Sequence, residues 1–313
     1  MGPTGGALIC SLRSTNDGRF HIPSELLRVN SEQFLQWCQL QQSDVTSDVH
    51  QPLVMGVLNI TPDSFSDGGH FLETSHAYQR AQEMISQGVD LIDIGGESTK
   101  PGSDYVSFEA ELARVIPVIE RIRSTSDICI SIDTYKPEVM QAAVRAGASV
   151  INDIRALTSE GAITVAAQLN VPICLMHMQG TPKSMQDNPQ YKFDVVDEIN
   201  VFFRQRIDAC RQAGIPLKHL ILDPGFGYGK LVQHNLCLIK RLNEFKRHHL
   251  PLLLGVSRKS TIGVVTQRSV TERQPAGLAV AVFAALQGVS IIRTHDVDET
   301  KQALQMIHAI KAC

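Results

Sequence analysis

Eight short apolar runs recur along the chain, at residues 54–60, 91–95, 128–133, 150–154, 172–177, 220–223, 252–256 and 291–295. They have strand length and are dominated by apolar, largely β-branched residues, so they read as strands buried on both faces. Between them lie stretches with apolar residues at helical spacing. The clearest is PEVMQAAVRAG at 137–147, with Pro in the first turn and Gly beyond the last. Others begin near Thr158, Pro275 and Val297. Strand and helix alternating in this way predict an α/β protein, a (β/α)8 TIM barrel. A doubly wound open sheet shares the alternation and differs only in closure, which periodicity does not report.

Residues 1–50 fall outside the repeat and form a short N-terminal extension, and 51–313 form the barrel. Two apolar segments, 8–12 and 19–22, flank the turn signal Asn16-Asp17-Gly18 and predict a hairpin that plugs the barrel's lower end. A short helix over 31–42 carries Trp37, the only tryptophan. With 313 residues, 43% of them hydrophobic, the chain can build one large core or two ordinary ones. A net charge of −3 supplies no basic field for nucleic acid or anionic lipid, which points to a small-molecule partner. No run approaches a membrane span and MGPTGGALIC lacks the layout of a secretory signal, so a cytoplasmic protein is expected. The seven cysteines are odd in number and lack a C-x-x-C pair, which argues against a disulfide framework or a structural zinc site.

The strand ends carry the chemistry. At the C-terminal tips stand Asn59, Glu97-Ser98-Thr99, Asp133-Thr134, Asn152-Asp153, Met176-His177, Asp223-Pro224-Gly225, Ser257-Arg258-Lys259-Ser260 and Arg293-Thr294-His295. In a barrel these converge at the face where barrel enzymes keep their active sites. The first strand runs directly into NITPDSFSDGG (59–69), a polar loop with one aromatic.

Asp133, Asn152 and Asp223 offer carboxylate and amide groups suited to the edge of an amino-oxo-pyrimidine. Each could instead cap the following helix. Lys259, Arg293 and His295 make the opposite side cationic, at the usual phosphate position of such barrels. The alternative for this group is ion pairing with Asp296 or Asp298. Asn59 beside a bound anion could hold Mg²⁺ through its amide oxygen. Gly225-Phe-Gly-Tyr-Gly-Lys230 fits neither the P-loop nor G-x-G-x-x-G, and its glycines are expected to let backbone approach a ligand.

With these residues in view, the chain resembles the dihydropteroate synthase family of folate biosynthesis. The matching stretches are MGVLNITPDSFSDGG (55–69), DIGGESTKPG (93–102), SIDTY (131–135), INDI (151–154), MHMQGTP (176–182), LDPGFGYGK (222–230), GVSRKS (255–260) and IIRTHDV (291–297). The resemblance implies a pterin-binding (β/α)8 barrel, often a homodimer. Such an enzyme joins 6-hydroxymethyl-7,8-dihydropterin diphosphate to p-aminobenzoate and releases diphosphate with Mg²⁺ assistance. It implies that Asp133, Asn152, Asp223 and Lys259 hold the pterin, with Met176 against its ring. Asn59 would ligate Mg²⁺, and Arg293 and His295 would bind the diphosphate. Phe65, Thr99, Pro101, Tyr228 and Ser260 would surround p-aminobenzoate, with Lys100 and Gly227 in the adjoining loops, and Asp67 would help close the first loop. Asp133 would stabilise the cation-like carbon left by the departing diphosphate.

Two positions depart from the family pattern: Lys100 stands where Arg is usual, and Tyr228 where Phe is common. Lys keeps the charge and loses the planar fork. Two other functions fit parts of the inventory. A pterin-binding methyltransferase acting on a corrinoid partner would use the pterin edge and leave Lys259, Arg293 and His295 unexplained. An inactive homologue kept for binding would not need the intact loop at 59–69.

Overall fold

The computed structural model describes residues 13–14, 20–21, 30–43, 51–60 and 69–312. Two short strands, β1 (Arg13–Ser14) and β2 (Phe20–His21), pair antiparallel with Ser14 opposite Phe20. The hairpin is therefore present, paired at 13–14; the expected strand at 8–12 lies outside the described residues. Helix α1 (Ser31–Ser43) follows.

Eight parallel strands come next: β3 (Leu53–Asn59), β4 (Leu91–Gly95), β5 (Cys129–Asp133), β6 (Val150–Asp153), β7 (Ile173–Met176), β8 (Leu220–Asp223), β9 (Leu253–Gly255) and β10 (Ile291–Thr294). Their order is β8-β7-β6-β5-β4-β3-β10-β9. A parallel bridge between Leu222 and Leu252, with the Leu222 N–H donating to the Pro251 carbonyl at 3.0 Å, joins the two ends. The sheet thus closes, and the open-sheet alternative falls. Helices α2 (Gly69–Ser86), α3 (Phe108–Arg123), α4 (Pro137–Ala146), α5 (Ala162–Leu169), α6 (Val195–Gln212) and α7 (Val232–Lys240) connect successive strands. After β9 come α8 (Ser260–Thr266) and α9 (Gln274–Leu286), and after β10 comes α10 (Val297–Ala312).

Local chemistry sets the helix ends. Ser107 accepts from the Ala110 N–H ahead of α3, and Asp194 accepts from Val196 and Asp197 ahead of α6. Gly147 ends α4 in the left-handed conformation. Helix α5 starts at Ala162, later than the pattern near Thr158 suggests. The buried Asp153 carboxylate takes the N–H groups of Arg155 (2.7 Å) and Leu157 (2.8 Å), which holds that segment in a turn instead of a helix.

Strand side chains alternate between two cores. The outward ones, including Val54, Ile92, Ile130, Ile151, Leu175, Leu222, Leu254 and Ile292, pack with the helices. The inward ones form a floor with one residue from each strand: Met55, Leu91, Cys129, Val150, Cys174, Ile221, Leu253 and Ile291. Phe34 and Cys38 of α1 join this floor, both fully buried. Helix α1 thus contributes side chains to the lower core. Burial pushes the Cys129 thiol up to about 12, so the floor cysteine behaves as a small apolar group.

Phe34→Ala should cost about 3–5 kcal/mol of stability in urea unfolding, the usual penalty for emptying a packed aromatic site. An unchanged midpoint would mean that α1 is not part of the core.

Candidate active site

Two residues beyond the floor, the inward positions change character: Val57, Asp93, Ser131, Asn152, Met176, Asp223, Gly255 and Arg293. Asp93 is fully buried, and its Oδ2 accepts from Arg293 Nε at 2.6 Å and from Asn152 Nδ2 at 3.0 Å. Arg293 Nη2 donates to Asp133 Oδ2 at 2.7 Å. One guanidinium is thus forked between two buried carboxylates from different strands. Burial and the neighbouring Asp93 push the Asp133 carboxyl up, against the pull of Arg293. Asp93 Oδ1 and Asp133 Oδ1 are also buried, and neither has a hydrogen-bond partner among the described residues. Ser131 Oγ beside them is likewise unpartnered.

Around this layer the mouth is built from loops. Asn59 is exposed at the end of β3, beside Gly95, which pairs in turn with Asp133. A Cβ at Gly95 would lie 3.6 Å from Asn59 Oδ1 and 3.7 Å from Asp133 Oδ2, so the missing side chain leaves the space between them open. Met176 and Tyr228 belong to a small apolar cluster with Tyr135, Ile154 and Met178, a surface suited to a flat ring. Asp223 turns its Oδ1 to the Gly225 N–H at 2.7 Å, and burial pushes its carboxyl up. Lys259 donates to the Phe226 carbonyl and lies over the Tyr228 ring, 4.3 Å from its centroid. Burial brings the Lys259 ammonium down to about 7. His295 contacts Ser257 Oγ through Nδ1 at 3.2 Å, and burial with the Arg293 and Arg258 charges lowers it to about 4. It is a neutral imidazole at pH 7.

The ion-pair alternative for the cationic side resolves differently from expectation. Asp296 is taken by Arg258, whose Nη2 donates at 2.5 Å, and Asp298 accepts from Gln302. Arg293 pairs with the site carboxylates themselves.

The glycines after β8 make room for the protein's own backbone and side chains. Gly225, Gly227 and Gly229 all have left-handed φ angles. A Cβ at Gly225 would run into the His177 carbonyl oxygen, one at Gly229 would come within 2.6 Å of the Gln179 carbonyl, and one at Gly227 would come within 3.0 Å of Lys259. The space they leave is filled by the protein itself. Lys230, buried beneath, donates to the carbonyls of Gly225 (2.9 Å) and Tyr228 (3.0 Å) and lies 3.0 Å from His177 Nδ1.

A barrel mouth with this polar layer matches the family model described as pterin binding enzyme, over residues 55–295. The dihydropteroate synthase of Escherichia coli (strain K12) is 51% identical over 262 residues, 84% of this chain and 93% of that one. The chain belongs to the pterin-binding enzymes, among the dihydropteroate synthases. Solved structures of the family agree in fold. That of Yersinia pestis dihydropteroate synthase with a sulfonamide drug complex is 48% identical with a TM-score of 0.80, covering 86% of this chain and 98% of its own. That of the Xanthomonas albilineans enzyme with 4-aminobenzoic acid is 44% identical with a TM-score of 0.79, covering 85% and 95%.

Within this dihydropteroate synthase scaffold the residues singled out from sequence fall into groups. Asn152 and Arg293 both donate to Asp93, and Arg293 also reaches Asp133. Tyr228 meets Lys259 and Thr99 and shares an apolar cluster with Met176. Lys100, Pro101 and Ser260 are exposed on the rim. Phe65 and Asp67 lie outside the described residues. Asp93 and Ser131 were missed as site residues because both sit inside apolar strand runs. Counting back two from Asp133 finds Ser131, and counting two on from the floor residue Leu91 finds Asp93.

Asp93→Ala should lower stability by about 3–5 kcal/mol, because it strips a partner from a largely buried guanidinium. Urea unfolding measures it, and a loss near zero would mean that Asp93 is dispensable to the Arg293 pairing.

Proposed function

We propose that the barrel mouth condenses 6-hydroxymethyl-7,8-dihydropterin diphosphate with p-aminobenzoate, giving 7,8-dihydropteroate and diphosphate. The observation that carries this reading is the pair of buried, unpartnered oxygens, Asp93 Oδ1 and Asp133 Oδ1, next to Asn152 and Asp223. Buried acceptors without donors are costly, and a heterocycle presenting several N–H groups satisfies them. Met176 gives the ring an apolar surface. The polypeptide needs no nucleophile: the amine of p-aminobenzoate attacks the methylene carbon as the C–O bond to diphosphate breaks.

In this reading Asp133 faces the positive charge that develops on the pterin, inside a pocket where water does not screen it. Arg293 supplies a planar fork for phosphate oxygens, and neutral His295 offers an N–H donor. Asn59 would hold Mg²⁺. Its hard amide oxygen stands exposed at the mouth, and among the described residues no group of three His, Cys, Asp or Glu could hold a metal ion. A lone amide oxygen suits an ion that arrives already bound to phosphate. When bound, Mg²⁺ neutralises charge on the leaving diphosphate. Thr99, Lys100, Pro101, Gly227, Tyr228 and Ser260 would border p-aminobenzoate, with Phe65 and Asp67 brought over it by the loop at 59–69.

A homodimer is part of the same proposal. Val264, Val265, Phe283, Leu286, Met306 and Ile310 are exposed on the successive helices α8, α9 and α10, a patch that a second copy would cover. Among the described residues no helix is long and apolar enough to cross a membrane.

Turnover is tested by mixing the two substrates with and without Mg²⁺ and following diphosphate release; no dihydropteroate in either case would sink the assignment. Asp133→Asn should lower turnover by roughly 10²–10³ while the protein stays folded, the usual cost of losing one electrostatic stabiliser. Near-normal rates in that variant would remove Asp133 from the chemistry. p-Aminobenzoate should bind weakly to the empty protein and tightly once pterin and diphosphate are present. Phe65→Ala should weaken only the second step, and calorimetry finding equal affinity in both states would remove the gating role of the loop at 59–69.

A further inference from the structure

A tyrosine hydroxyl bridges the barrel mouth. Strands β4 and β8 are four strands apart whichever way the barrel is counted, so the loops after them stand on opposite rims. Thr99 Oγ1 from the first loop and Tyr228 Oη from the second nevertheless meet at 3.0 Å.

The two loops are held very differently. The β8 loop is pinned beside the tyrosine: the Gly227 N–H donates to Asn235 Oδ1 (2.8 Å), its carbonyl accepts from Gln186 (2.8 Å), and the Tyr228 carbonyl accepts from Lys230. The β4 loop is held at its ends. Arg114 donates to the Gly96 carbonyl at 2.6 Å, Lys136 pairs with Glu97, and the Gly102 N–H reaches the Pro182 carbonyl at 3.1 Å. From 98 to 101, among the described residues, the other hydrogen bonds stay within the loop: Ser98 Oγ accepts from the Lys100 N–H and the Ser103 hydroxyl, and the Lys100 carbonyl accepts from the Ser103 N–H. The hydroxyl pair is what ties that stretch to the rigid side of the barrel.

We propose that the Tyr228–Thr99 hydrogen bond is a latch that fixes the β4 loop as one wall of the p-aminobenzoate pocket, making Tyr228 a positioning residue for that substrate. The proposal deepens the reaction assigned above and rests on it. Phenylalanine at 228 would keep the ring and its contact with Lys259 and remove only the hydroxyl, so Tyr228→Phe isolates the latch.

Steady-state kinetics and hydrogen–deuterium exchange on the full chain test it. Tyr228→Phe and Thr99→Val should each raise KM for p-aminobenzoate about three- to ten-fold, the span of one net hydrogen bond. KM for the pterin diphosphate should stay put. The double variant should be no worse than either single one, since both remove the same interaction. Thr99→Ser, which keeps the hydroxyl, should restore the unmodified value. Amide exchange at 98–100 should quicken in Tyr228→Phe and in Thr99→Val. Additive losses in the double variant, or unchanged exchange over 98–100, would overturn the latch. Absence of turnover in the unmodified chain would count against the assigned reaction, while the exchange measurement, which needs no substrate, would still decide whether the latch exists.

Discussion

The guanidinium of Arg293, shared between Asp93 and Asp133, is the interaction on which the mouth of this barrel depends. A closed eight-stranded barrel gives its interior to alternate residues of each strand, and the register leaves little freedom over which ones. Here the first inward position of every strand is apolar, and the next brings in Asp93, Ser131, Asn152, Asp223 and Arg293. The interior therefore passes from a dry floor to a charged layer over two residues, roughly 6–7 Å of strand. Charges at that depth must be matched internally, because solvation cannot compensate for them. Arg293 matches two carboxylates at once, and Asn152 donates to the same Asp93 oxygen. The floor and α1 supply the apolar burial against which this polar layer can be kept.

Much of this was legible in the sequence, for a definite reason. Strand tips in a barrel face the same solvent-accessible mouth, so Asp133, Asn152, Asp223, Lys259 and Arg293 could be assigned to one face without knowing any distance. What periodicity does not encode is partner choice. Arg293 pairs across the barrel with Asp93 and Asp133, residues 200 and 160 positions away in sequence, while the nearer Asp296 goes to Arg258. Asp93 escaped notice because a carboxylate inside an apolar run is conspicuous only once strand parity is fixed. The position of α1 was hidden for a related reason: Phe34 and Cys38 join a cluster with residues from all eight strands, an association that no local pattern predicts. The late start of α5 was decided by one side chain, Asp153, competing for backbone donors.

The loop after β8 shows a second way of fixing a site. Three left-handed glycines let the chain fold back against the carbonyls of His177 and Gln179 and against Lys259. That crowding gathers carbonyl oxygens, and Lys230 answers them with a buried amine aimed at Gly225 and Tyr228. Burial brings Lys230 down to about 7, yet the carbonyls around it are pure acceptors and favour the protonated form. His177, neutral through burial and the adjacent Lys230, is left to accept at Nδ1. A sequence that looks like a nucleotide-binding loop is thus a self-contained brace, and its yield is the fixed placement of Phe226 and Tyr228 against Lys259.

Seen this way, binding in the proposed reaction is an exchange of partners and not the filling of a hole. The mouth holds three carboxylates, Asp93, Asp133 and Asp223, and two cationic side chains, Arg293 and Lys259, already engaged with one another or with backbone. A pterin alone offers N–H donors to the free carboxylate oxygens but gives Arg293 no reason to leave Asp133. A pterin diphosphate offers both: donors for Asp93 and Asp133, and phosphate oxygens for the guanidinium. In the proposed reaction the second ligand would free Asp133 from its cation and leave that carboxylate facing the carbon where positive charge develops. Asp133 would then be a stronger electrostatic stabiliser in the loaded site than in the empty one, because the group that screens it has moved to the leaving diphosphate. The substrate's own phosphate would complete the site's charge arrangement, which ties recognition of the leaving group to activation of the carbon it leaves.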